Sequence, residues 1–188
     1  MITYCDVVDS FPDGERKDLH KKYHDEGYGF PICCDNELFG RLILEINQAG
    51  LSWETILKKQ DNFRKAFSNF NIAKIANYSE IDRARLLGDS GIIRNRLKVD
   101  AVIYNAKVVI TMQKEHGSFK NWLDSNYPLE KEQWIKLFKS KFKFVGGEIV
   151  NEFLASTGYL KGAHRETCPI YQKVLEAKPR WLESEANA

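Results

Sequence analysis

Apolar residues recur at three- and four-residue steps along most of this chain, while strand-like alternation is scarce, and that regularity points to an all-α fold. From Asp35, read as a helix cap, Leu38, Leu42 and Leu44 to Ile46 form a broad inward stripe, with Gly50 as its stop. Ser52 suits the cap of a second helix, whose inner side carries Trp53, Ile56, Leu57, Phe63, Ala66, Phe67 and Phe70. Ser79 with Asp82 three residues on resembles a capping box opening a short helix through Leu87, broken by Gly88-Asp89-Ser90-Gly91. A longer helix is predicted from near Ile92 to about His116, and shorter ones over 118–123 and 131–142. A last one follows Gly146-Gly147 and ends near Gly158.

With 188 residues, 43% hydrophobic and 29% charged, the chain has enough core for a single domain spanning 1–188 without disulfides. That composition argues against disorder, collagen and a coiled coil. The formal net charge of +2 is far from histone-like, so a nucleic-acid partner would depend on a local basic face. No apolar run nears the ~20 residues of a membrane span, and Met1-Ile2-Thr3-Tyr4-Cys5-Asp6 lacks the marks of an export signal. A cytoplasmic protein without membrane contact is the expectation. Four cysteines (Cys5, Cys33, Cys34, Cys168) then read as thiols or metal ligands.

The stretch 80–103 has the most chemical content. Leu87-Gly88-x-x-Gly91-Ile92 between two predicted helices resembles a helix-hairpin-helix, in which glycines permit positive φ. Backbone N–H groups at the second helix's start would face a DNA phosphate. Arg83, Arg85, Arg94, Arg96 and Lys98 add positive charge around the turn. Such contacts ignore base sequence. An ordinary αα-corner with a solvated basic face would have the same spacing.

Three more stretches narrow the reading: Tyr23-His24-Asp25-Glu26-Gly27-Tyr28-Gly29-Phe30-Pro31, Glu45-x-x-Gln48-Ala49-Gly50-Leu51-Ser52-Trp53, and Phe142-Lys143-Phe144-Val145-Gly146. With Gly91-Ile92-Ile93-Arg94-Asn95-Arg96 among them, the chain resembles the bacterial DNA-3-methyladenine glycosylase I family from about Cys5 to Cys168. The resemblance implies a helix-hairpin-helix glycosylase fold, two helical lobes flanking a base pocket. It implies one structural zinc per chain on Cys5, His24, His164 and Cys168, joining regions 5–24 and 164–168, a closed Cys2His2 set that activates no water.

The same resemblance gives roles to residues. Glu45 is the catalytic and recognition carboxylate, Trp53 stacks on the flipped base, and Tyr23 and Tyr28 complete the base-binding set. Gln48, Gly50 and Leu51 form the loop entering the gap in the duplex, while Gly88, Gly91, Arg94 and Arg96 hold DNA. Without the motif, Glu45 would read as a surface glutamate of an amphipathic helix and Trp53 as core. The implied activity is monofunctional hydrolysis of the N-glycosidic bond of 3-methyladenine in double-stranded DNA, releasing the free base from a monomeric enzyme. That base is cationic in DNA and leaves neutral, so no activated nucleophile is demanded. Gly27-Tyr28 stands where the family usually has Glu-Trp, the Cys5–His24 stretch is longer than usual, and 116–142 is shorter. A silent damage-binding module and a glycosylase for another alkylated purine are the alternatives.

Overall fold

The computed structural model describes residues 3–185, and among them it contains twelve α-helices, one 3-10 turn and no strand. The chain divides into two compact units, one from its two ends, up to Ile32 and from Asn151, the other Cys33–Val150.

The central unit starts with α3 (Asp35–Gln48), entered after α1 (Tyr4–Ser10) and α2 (Glu15–Glu26) of the end unit. Leu38, Phe39, Leu42, Ile43 and Ile46 of α3 are all sealed from solvent, the stripe expected from the spacing. The cap differs by one residue: Cys34 is the N-cap, and Asp35 lies inside the first turn. Gly50, at φ +80°, takes the left-handed conformation that ends the helix. Ser52 then caps α4 (Trp53–Ala66) by accepting from the Thr55 N–H.

After α4 the chain makes a 3-10 turn, Ser68–Phe70, with all three residues at positive φ, and α5 (Ile72–Ala76) follows. The turn drives the Phe70 ring against Gly40 of α3, where a Cβ would lie 2.4 Å from a ring carbon. The capping box of Ser79 and Asp82 opens α6 (Glu80–Gly88) as the sequence predicts. The long helix starts later than predicted: α7 is Arg96–His116, capped by Asn95, whose side chain accepts from the Lys98 N–H. Asn95 satisfies a donor that has no carbonyl partner inside the helix, which fixes the start four residues beyond Ile92. α7 packs against α3, α5, α6 and then α8 (Phe119–Asn126). Trp134 and Phe138 of α9 (Lys131–Lys141) and Phe142 after it bury their rings in the same unit.

α10 (Gly147–Ser156) is not the last helix, because α11 (Tyr171–Glu176) and α12 (Trp181–Glu185) follow. In the end unit, Thr3 and Asp6 form a capping box on α1, and Arg165 pairs with Asp6 and Asp9. Cys5, Cys168, Ile170 and Val174 form a small core there, with Phe30 and Tyr171 against it. No described helix is long and apolar enough to cross a membrane.

Candidate functional site

Glu45 lies on α3 between Leu44 and Ile46 and is only 3% exposed. It is therefore not the surface glutamate that amphipathic patterning alone would suggest, since burying a carboxylate is costly unless it is hydrogen-bonded or paired. One turn further the helix ends, and Gln48, Ala49, Gly50 and Leu51 make a tight corner closed by the Leu51 N–H on the Gln48 carbonyl, 2.7 Å. Leu51, at the tip of this corner, is 41% exposed. Trp53 is the first residue of α4 and is half-buried.

The turn between α6 and α7 departs from its expected geometry. Neither Gly88 nor Gly91 has positive φ, and Gly88 is the last residue of α6. Gly91 is constrained by space instead: a Cβ there would lie 2.9 Å from the Asp89 carboxylate and 3.2 Å from the Asn62 side chain. The Gly91 N–H donates to Asp89 Oδ1 at 2.7 Å. Arg94 and Arg96 are exposed, with Arg96 Nε 3.9 Å from Asp100 Oδ2. Arg83 also pairs with Asp100, and Arg85 donates to the Ala66 carbonyl. Lys98 is a correction to the basic face drawn from the sequence: it is 4% exposed and points inward. Desolvation holds its amine below the ordinary lysine value.

Cys5, His24, His164 and Cys168 converge in the end unit, all four buried, with ligand atoms within 4.8 Å of one another. The long Cys5–His24 stretch is taken up by α1 and α2, which pack together. Cys5 Sγ lies 3.2 Å from His24 Nε2 and 3.6 Å from His164 Nδ1, and Cys168 Sγ lies 3.8 and 3.7 Å from the same nitrogens. Each imidazole uses its other nitrogen outward. His24 Nδ1 is 2.7 Å from the Asp25 carboxylate, and His164 Nε2 is 2.7 Å from the Tyr28 carbonyl oxygen. Those partners orient both rings with a lone pair facing the cluster, the usual arrangement around a metal. Burial pushes the Cys5 thiol up, the neighbouring Cys168 adding to it, and burial pushes the His164 imidazole down. A buried set of two cysteines and two histidines with ligand atoms this close could hold a metal ion.

Tyr23 is half-buried on α2 and Tyr28 is buried just beyond its end, their rings 5.7 Å apart. Tyr4 packs on both, at 5.9 and 5.1 Å. The Tyr28 hydroxyl donates to Glu152 Oε2 at 3.1 Å, a partner the sequence reading missed. The position of Glu152 on α10 offered no signal, since the motif that marks that region ends at Gly146.

The family model for methyladenine glycosylase matches residues 14–136. DNA-3-methyladenine glycosylase 1 of Escherichia coli K12 is 35% identical over 172 residues, 81% of this chain and 91% of that protein. The DNA-3-methyladenine glycosylase of Haemophilus influenzae is 32% identical, across 90% of this chain and 98% of the relative. Among solved structures, 3-methyladenine DNA glycosylase I from Staphylococcus aureus superposes with TM-score 0.75 at 29% identity, covering 87% of this chain and 94% of that one. This chain belongs to the methyladenine glycosylase family.

Proposed function

We propose that this protein is a DNA-3-methyladenine glycosylase that starts base-excision repair of alkylated double-stranded DNA by releasing the free base and leaving an abasic site. Family membership over most of the chain supports the activity, and the S. aureus relative was studied for its recognition of 3-methyladenine. The observation that carries the reading to this chain is the buried carboxylate of Glu45, one turn ahead of an exposed Leu51.

The chemistry asks little of the protein. Methylation at N3 places a positive charge on the base, so the glycosidic electron pair flows into a leaving group that becomes neutral. Water attacks the sugar, its oxygen bonding to C1′ as the C1′–N9 bond breaks and a proton passes to solvent. Glu45 accepts hydrogen bonds from the base edge, and its charge favours a cationic purine over normal adenine by roughly 1.5–3 kcal/mol. Trp53 supplies a ring face to the cation, contributing about 0.5–2 kcal/mol. Tyr23 and Tyr28 are assigned to the same base, with the Tyr28 hydroxyl held by Glu152. Gln48, Gly50 and Leu51 fill the gap left by the extruded nucleotide.

The segment 80–103 serves as a helix-hairpin-helix on the phosphates, with Gly88 and Gly91 keeping the turn slim and Arg94 and Arg96 supplying charge. Residues 1–188 work as one glycosylase domain, and the protein acts as a monomer in the cytoplasm. Cys5, His24, His164 and Cys168 hold one structural zinc. Tetrahedral zinc with sulfur at about 2.3 Å and nitrogen at 2.0–2.1 Å sets S···N edges of about 3.5–3.6 Å, and the four distances here, 3.2 to 3.8 Å, straddle that edge. The ion would tie the two ends of the chain together and has no part in bond cleavage.

The test is chromatography of bases released from methylated duplex DNA. Wild type should release 3-methyladenine, and Glu45→Gln should lower kcat/KM roughly ten- to hundred-fold. Release of only other purines would transfer the activity to another lesion. DNA binding without any release at enzyme excess would overturn it.

A further inference from the structure

We propose that Lys98 is a positioning residue that holds the Gln48–Leu51 corner in the shape needed to fill the gap in the duplex. The proposal rests on the gap-filling role given to that corner above.

Lys98 sits in the first turn of α7, within a run of basic residues, yet its side chain turns away from solvent. Its ammonium donates to the Asn47 carbonyl at 2.9 Å and the Ala49 carbonyl at 2.7 Å. Those oxygens lie at the C-terminal end of α3, where carbonyls lack intrahelical partners and the helix dipole is negative. A cation is therefore the matching group, and two bonds to it fix the backbone on both sides of Gln48. The ring of Phe144 covers the ammonium, 5.8 Å from Nζ to the ring centre. Burying a lysine is expensive, so its retention here needs a return. The return is rigidity of a corner whose next two residues are a left-handed glycine and an exposed leucine.

A second lysine ties the same elements in the opposite direction. Lys59 of α4 donates to the Ser90 carbonyl at 2.9 Å and the Gly91 carbonyl at 3.3 Å, in the turn between α6 and α7. The loop after α3 is thus bound to the start of α7, and the turn before α7 to α4. Phosphate contact and gap filling are carried on one braced piece, so a grip on the backbone also aims Leu51.

The experiment measures affinity by fluorescence anisotropy for intact duplex and for the same duplex with a stable abasic-site analogue, and affinity for free 3-methyladenine by calorimetry. Wild type should prefer the abasic duplex, because the corner has a gap to fill. Lys98→Met should lower that preference about ten-fold or more, while intact-duplex and free-base affinities stay within about two-fold. Lys98→Gln, which keeps two N–H donors but no charge, should fall between. An unchanged preference in Lys98→Met, or a proportional loss of all three affinities, would overturn the proposal. Should the methionine variant lack the wild-type circular dichroism, Lys98→Gln decides it by the same ratio: a preference equal to wild type would overturn the proposal, and a selective loss would support it. A wild type with no abasic preference would remove the gap-filling role itself, whatever its base-release activity.

Discussion

The Asp35 carboxylate receives three donors: the Gln113 side chain at 2.7 Å, and the N–H groups of Phe119 and Lys120 at 2.8 and 3.1 Å. The last two are among the first backbone donors of α8, which have no partner inside that helix. One side chain therefore pins α3, α7 and α8 together. Asp35→Ala should lower unfolding stability by about 2–3 kcal/mol, since a charged acceptor is lost and three part-buried donors are stranded. Thermal unfolding followed by circular dichroism checks this, and a change below about 0.5 kcal/mol would show that water replaces the carboxylate freely. The sequence spacing put Asp35 at the cap of α3, a place that Cys34 takes; its bonds to the start of α8 were not legible, because local spacing carries no information about a partner 84 residues on. Lys98 is the same lesson in charge: a basic run reads as a surface until packing shows which member turns inward.

At the scale of elements, the contact between Gly40 and Phe70 decides how closely α3 and the turn after α4 approach. Ser68, Asn69 and Phe70 all adopt the left-handed region, an unfavourable choice for non-glycine residues that persists because it delivers a fully buried ring. With a Cβ 2.4 Å from that ring, Gly40→Ala must push the turn outward, and overpacking of this kind costs about 1–3 kcal/mol. Alanine in a free helix would stabilise instead, so chemical denaturation gives the sign directly. Helix α3 was legible from its apolar inner face, and α4 and α6 from that together with the local caps Ser52 and Ser79. The missed helices explain the limits. The buried residues of α2 are His20 and His24, not aliphatics, so its inner face gives no apolar stripe. α1, α5, α11 and α12 span seven residues or fewer, too few for a period to emerge. The residues of the candidate metal site were found through motif resemblance, and only the structure brings them within reach of each other.

For the whole molecule, the four clustered ligands come from positions 5, 24, 164 and 168, so an ion there would close a loop of nearly the full chain. The small core beside it is built from Ile170 and Val174 with the two cysteines. Structural zinc sites in small domains contribute about 10–16 kcal/mol of apparent binding energy, comparable with the 5–15 kcal/mol that stabilises a typical domain. Removing it should therefore be felt first where the ligands are. Protein prepared without chelator should contain about one zinc per chain. Stripping it, or substituting Cys168→Ser, should lower the melting temperature and expose Lys and Arg bonds before residue 33 and after residue 150 to trypsin. Within Cys33–Val150, cleavage should lag, because that unit's sealed core of α3, α4, α5 and α7 holds no ligand. Mass spectrometry of the early fragments separates this from general unfolding, in which cuts would be spread along the chain. Clearly sub-stoichiometric metal, with melting and cleavage unaltered by chelation, would leave the four side chains as a packed thiol–imidazole cluster and nothing more.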